Sequence, residues 1–260
     1  MKTHPSLSIG IITMNEVRRI TQCIQSARFA DQIVVVDSGS KDDTVAMAQS
    51  LGAQVHTHAD WQGFAEQRNR LLTYCTSDYI FFLDADEVIT PELQTKIQMA
   101  VESNRPDVWE TYWLEVAFGR PLKRVISRKS LPRLFRRDML VGFEGVVHEH
   151  AKLSNPNAAR HVLQSPLLHY SRESIHDSLK KLTQYSMLGA AKRAKKNQRG
   201  GVLRGLLSSL WMFIRLYFFK LAFLEGGPGF LYSLFISLEF FFRQAALKYD
   251  RQWLRDDLSR

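Results

Sequence analysis

Cysteine is scarce: Cys23 and Cys75 are the only two in 260 residues. Neither has a Cys or His at metal-ligand spacing, so the sequence offers no disulfide framework and no zinc motif. A reducing compartment is the simplest setting for such a chain. No Gly-x-Gly-x-x-Gly follows the first apolar run, which excludes a dinucleotide-binding dehydrogenase of the usual kind. Internal repeats and low-complexity tracts are absent. The apolar stretch from Leu7 to Met14 is short and interrupted, and reads as a buried strand rather than a signal peptide. The chain is thus expected to carry no export signal. Acids are outnumbered, 26 against 35 Lys and Arg, giving a formal charge of +9. That balance favours an anionic partner: nucleic acid, a phosphorylated substrate or acidic lipid.

Hydrophobic residues at 45% and charged residues at 23% are ordinary for a folded protein. The length suits one catalytic domain with an appendage. Apolar runs at Leu7–Thr13, Ile33–Val36 and Tyr79–Leu83 and a short strand at Gln54–Thr57 alternate with helical stretches through Ala27, from Asp42 to Gly52 and from Phe64 to Thr76. Strands that are nearly all apolar, separated by helices, predict an α/β fold with a parallel sheet covered on both faces. Val108–Val116 and Leu131–Arg137 return to strand composition around a basic loop holding Arg120, Lys123, Arg124, Arg128 and Lys129. Residues 1–170 are expected to form the catalytic domain, and 171–260 a basic helical region.

In an open parallel sheet, ligands bind beyond the carboxyl ends of the strands. Here the strands end in polar clusters at Thr13-Met14-Asn15-Glu16, Asp37-Ser38-Gly39-Ser40 and Asp84-Ala85-Asp86-Glu87. In extended backbone Asp84 and Asp86 point the same way. Two such carboxylates in a dry cleft repel unless a cation lies between them. Mg2+ or Mn2+ would accept both and complete its shell with substrate phosphates. Solvated turn acids are the bland alternative, made poorer by the five apolar residues that precede them. Asp37 can accept hydrogen bonds from a base or ribose. Capping of the next helix falls more naturally to Ser40 or Asp42.

Taken together, Ser8–Glu16 (SIGIITMNE), Val34–Thr44 (VVVDSGSKDDT), Gln67-Arg68-Asn69 and Phe82–Glu87 (FLDADE) resemble the family-2 inverting glycosyltransferases, which have the GT-A fold. The resemblance covers about the first hundred residues and is specific as a set. It implies that Thr13, Asn15, Glu16, Asp37, Gln67, Arg68 and Asn69 border a UDP-sugar. It also implies that Asp84 and Asp86 serve ribose, metal and diphosphate, with Asp86 the direct ligand. Inverting transfer needs a base for the acceptor hydroxyl. Phe143–His150 supplies candidates, of which Glu149 is expected to be the base and His148 its partner. The Leu134-Phe135-Arg136-Arg137 strand and Val147-His148-Glu149 are similar to bacterial lipopolysaccharide inner-core β-1,4-glucosyltransferases. This implies transfer of a hexose, glucose from UDP-glucose, to a heptose, with Arg136 meeting an anionic, lipid-linked saccharide. A related transferase acting on polyprenyl phosphate or a capsule intermediate stays open, as does a non-catalytic membrane-binding module. A nucleic-acid partner is not expected, because no basic module interleaved with aromatics is present.

Towards the carboxyl end, Leu179–Arg204 carries eight cations and no acid. Two apolar segments follow, Val202–Leu224 and Phe230–Tyr249, joined by the breaker Glu225-Gly226-Gly227-Pro228-Gly229. The first has the length of a membrane span, but Arg204, Arg215 and Lys220 interrupt it. An interfacial helical hairpin, peripheral on the inner face of the bacterial inner membrane, is the expectation, with Glu239 and Arg243 pairing one turn apart. A soluble hairpin is the alternative.

Overall fold

The computed structural model describes residues 4–126, 130–145 and 150–256. The chain groups into two compact units, Met1–Trp113 with Ser127–His169 and Leu114–Ile126 with Tyr170–Arg260. The segment Leu114–Ile126, with Arg120, Lys123 and Arg124, groups with the C-terminal helices.

In the first unit, β1 (Leu7–Thr13), β2 (Gln32–Asp37), β3 (Gln54–Thr57) and β4 (Tyr79–Asp84) run parallel in the order β3-β2-β1-β4. Helices α1 (Ile20–Ser26), α2 (Thr44–Ser50), α3 (Phe64–Tyr74) and α4 (Pro91–Glu102) cover the sheet. Side chains alternate across a strand. Ile9, Ile11, Tyr79, Phe81 and Leu83 therefore pack with Ile20 and Ile24 of α1 and Leu93 and Ile97 of α4. Ile12, Val34, Val36, Ile80 and Phe82 meet Leu71 of α3 on the other face. Burial of each large apolar side chain contributes about 1.5–3 kcal/mol. A one-residue slip would turn the whole set over, so the register is firmly specified. That register aligns Thr13 with Asp37, Ile12 with Asp84, and Asp37 with Thr57. The polar strand ends consequently share one edge.

The remaining strands are β5 (Glu87–Ile89), β6 (Val108–Ala117), the two-residue β7 (Arg120–Pro121), β8 (Leu131–Arg136), β9 (Leu140–Glu144), β10 (His150–Leu153) and β11 (Arg160–Arg172). The sheet continues from β4 through β8, β6 and β11 to β5, while β9 and β10 form a separate ribbon. Only Ala85 and Asp86 separate β4 from β5 in the chain, yet the two stand at opposite ends of that path. The sheet must curl to bring them together. The curl sets Glu87 opposite His169 in register.

The second unit contains α5 (Ile175–Lys195), α6 (Val202–Ile214) and α7 (Gly226–Tyr249). The break in the apolar hairpin lies earlier than its glycines indicate. After α6 come a π-turn at Arg215–Phe219, Leu221 in the left-handed region (φ 56°), and a 3-10 turn at Ala222–Glu225. Gly226-Gly227-Pro228-Gly229 is instead the first turn of α7, where proline has no backbone donor to lose. Glu239 also finds a different partner from the one its spacing indicates. It accepts from Arg172, and Arg243 lies over the Phe240 ring.

Candidate active site

The ends of β1 and β2 are laced together through their loops. Asn15, at φ 56°, accepts from the Lys41 amide at 2.8 Å, and its own amide donates to Ser40 Oγ at 2.8 Å. The Glu16 amide donates to Thr44 Oγ1 at 2.9 Å. Asp37 is buried; its Oδ2 accepts from the Gly39 and Ser40 amides at 2.9 and 3.0 Å, and the Ser40 hydroxyl donates to Oδ1. A carboxylate has about four acceptor positions, so three donors leave Asp37 roughly one for a ligand. The Thr13 hydroxyl is buried at the same edge and meets no hydrogen-bond partner among the described residues.

Helix α3 supplies three neighbouring side chains with different duties. Gln67 donates to Ser38 Oγ at 3.0 Å and to the His58 carbonyl at 3.3 Å, which ties the β2 and β3 ends together. Asn69 pairs with both backbone groups of Phe143, at 2.7 and 3.1 Å, and so clasps β9. Of the three, Arg68 alone reaches the acids, donating to Asp84 Oδ1 at 3.0 Å while lying against the paired Phe82 and Phe143 rings.

Asp84 and Asp86 are not held in extended backbone, because Ala85 and Asp86 form a turn between β4 and β5. Asp84 is committed to two guanidiniums: Arg68, and Arg133 from β8 at 2.9 Å on Oδ2. Burial would raise its carboxyl, but Arg133 and then Arg68 outweigh that and hold it well below the usual aspartate range. Arg133 also donates to Glu87, which accepts in addition from Trp113 Nε1 and from the Asp84 amide at 2.9 Å. Burial pushes Glu87 up to about 7 against the pull of Arg133. Asp86 faces His169 instead, with 3.4 Å between Oδ2 and Nε2. The His169 ring is stacked on Trp113 at 4.6 Å between centroids.

Arg136 sits elsewhere. It pairs in register with Tyr79, at the start of β4, and forks onto Asp138 at 2.7 Å through both nitrogens. Five residues of strand, roughly 16 Å, separate that level from Asp84. Arg133 is the arginine of β8 that reaches the acids. His148 and Glu149 lie outside the described residues. His56 and His58 both attend Tyr74, one stacked at 3.6 Å and the other bonded to its hydroxyl at 3.0 Å. Among the described residues no three His, Cys, Asp or Glu side chains converge into a metal cage. The strand-end rule that found Asp84 does not single out His169, because it lies inside β11, which continues through Tyr170, Ser171 and Arg172.

The profile of the family described as Glycosyl transferase family 2 matches residues 8–144. The chain belongs to that family. The transferase has its GT-A-like α/β fold, with the curled mixed sheet and a C-terminal helical region. A lipopolysaccharide core biosynthesis glycosyltransferase, LpsC, of Rhizobium meliloti is 29% identical over 96% of this chain and 94% of its own length. Uncharacterized glycosyltransferases of Rickettsia bellii and Rickettsia felis are 30% and 28% identical, each over 93% of this chain and over 86% and 89% of their own lengths. A crystal structure of glucosyl-3-phosphoglycerate synthase from Mycobacterium tuberculosis with Mn2+, UDP and phosphoglyceric acid superposes with a TM-score of 0.49. It is 18% identical and covers 68% of this chain and 74% of that one.

Proposed function

We propose that the transferase moves glucose from UDP-glucose, with inversion, onto a heptose of the lipopolysaccharide inner core at the cytoplasmic face of the bacterial inner membrane. The observation that carries this reading is the facing pair Asp86 and His169, beside an Asp84 already neutralised by two arginines. One carboxylate and one imidazole, both partly open to solvent, fit a divalent cation that takes the rest of its shell from diphosphate oxygens and water. The imidazole favours Mn2+ over Mg2+, which prefers oxygen alone. When bound, the ion supplies neutralisation of the departing diphosphate.

The chain's own residues do the rest. Thr13 and the spare acceptor position of Asp37 serve base and ribose. Asn15, Glu16 and Gln67 shape that pocket by holding its loops, and Asn69 holds the β9 ribbon. Arg68 and Arg133 fix Asp84. Glu149 takes the acceptor proton as the hydroxyl oxygen attacks the anomeric carbon opposite the diphosphate, and His148 orients it. The Rhizobium relative, named for lipopolysaccharide core biosynthesis, supports the acceptor class. Its likeness runs past residue 144 through the second unit. Arg136 has no part, given its place at the far end of β8.

The test is a screen of UDP-sugars against truncated heptose-containing core oligosaccharide and against polyprenyl phosphate, with linkage analysis of the product. A β-linked glucosyl-heptose is expected. An α-linked product would contradict inversion, and transfer to the polyprenyl phosphate alone would replace the acceptor.

A further inference from the structure

Two stretches of the second unit, Val202–Phe219 and Ala222–Tyr249, are long and apolar enough to cross a membrane. They differ in what covers them. Only 6% of the first stretch is buried. Leu203, Leu206, Leu207, Leu210 and Trp211 stand exposed along one side of α6, at the three- and four-residue spacing of a helical face. Phe218, Phe219, Phe223 and Leu224 carry the exposed apolar surface round the corner after it. An unpartnered patch of this kind on a soluble chain marks an interaction surface.

The cations are placed around that corner. The Arg124 amide donates to Glu225 Oε1 at 2.8 Å and Lys220 Nζ reaches the Ile126 carbonyl at 3.5 Å, so the loop at 114–126 lies against the corner. Ala117, Leu122 and Val125 of that loop pack with Ala222. Arg120, Lys123 and Arg124 on the loop, and Arg204 and Arg215 on the helix side, are exposed. An isologous contact between two copies would set this patch against itself and its cations against their own kind. An anionic lipid leaflet matches both features.

Crossing the bilayer is opposed by what α7 packs on. Its other side rests on α5, where the Ser186 hydroxyl donates to the Glu239 carbonyl and Gly189 lets Arg243 approach. Mid-helix Glu239 is paired with Arg172. Helix α5 itself carries Lys180, Lys181, Lys192, Arg193 and Lys195. A spanning α7 would draw that helix and that ion pair into hydrocarbon, at high cost.

We infer that α6 and the corner at 215–224 form a monotopic docking surface for an anionic bilayer, with the α6 face lying in the interface and the 114–126 loop on the headgroups. The inference goes beyond the proposed transfer reaction and is tested without substrate, so either can fail alone. Purified full-length protein is sedimented with vesicles of phosphatidylcholine, alone or with 30% phosphatidylglycerol. Binding is expected only or mainly with the anionic vesicles, and it should weaken as salt rises. The pair Arg120→Glu and Lys123→Glu should lower partitioning by at least roughly fivefold per cation. The pair Leu207→Glu and Phe219→Glu should abolish binding while the thermal unfolding transition stays where it is. Each set lies on exposed positions, and an unchanged unfolding transition reports that the variant is folded. Equal binding to neutral vesicles would overturn the inference. So would a concentration-dependent dimer that Leu207→Glu dissociates in a protein that ignores vesicles.

Discussion

Where β4, β5 and β8 converge, Arg68 and Arg133 both reach Asp84, and Arg133 reaches Glu87 as well. Two cations and two carboxylates nearly cancel, which is what allows such a group to be buried. Asp84 has its folded pKa depressed, so the unfolded chain binds the extra proton as acid is added. Its contribution to stability is complete above the ordinary aspartate range, about pH 4, and is lost as pH falls below it. Glu87, raised to about 7, gives the opposite slope between its ordinary value and neutrality. Denaturant titrations confined to pH 4 and below exclude Glu87. Asp42, Asp60 and Glu144 are also held low there in both proteins, so the difference from Asp84→Asn reports Asp84. Stability of the wild type should fall there more steeply than that of Asp84→Asn; parallel curves would contradict the assignment. Asp84 was legible in the sequence because the apolar run Tyr79–Leu83 ends on it. Its partners were not. Arg133 and Arg136 are equivalent in composition, and only the antiparallel register of β8 against β4 decides which one reaches Asp84.

At the level of elements, β1, β2 and β4 could be read from apolar runs because both of their faces are buried, whereas β3 at the sheet edge is short and half exposed. β5 has three residues, too few to show a period, and β11 is half exposed and mixes polar with apolar positions. Neither stands out before the sheet curls. The hairpin break was misplaced for a related reason: glycines and a proline mark a turn in sequence, yet here they begin a helix under close packing. A Cβ on Gly229 would lie 2.0 Å from the Ala222 carbonyl oxygen, whereas around Gly227 nothing lies within 4 Å. Gly229→Ala should then cost about 1–3 kcal/mol through overpacking. Gly227→Ala should be neutral or stabilise by up to about 1 kcal/mol through helix propensity. Equilibrium denaturation of the two variants checks the sign change; equal effects would contradict the packing at the start of α7.

For the whole molecule, the family and its GT-A-like fold were within reach of the sequence, since four short segments in fixed order carried the resemblance. The role of His169 was not, because its partner Asp86 lies 83 positions away by number and only the pairing of β11 with β5 brings them together. The proposed transfer reaction requires Asp86 and His169 jointly to hold a cation against the donor's diphosphate. Calorimetric titration of UDP into the protein, with and without Mn2+, tests this most directly. UDP binding should strengthen with Mn2+ in the wild type, and Asp86→Ala and His169→Ala should each lose that gain while keeping the metal-free affinity. Undiminished Mn2+-dependent binding in both variants would contradict it.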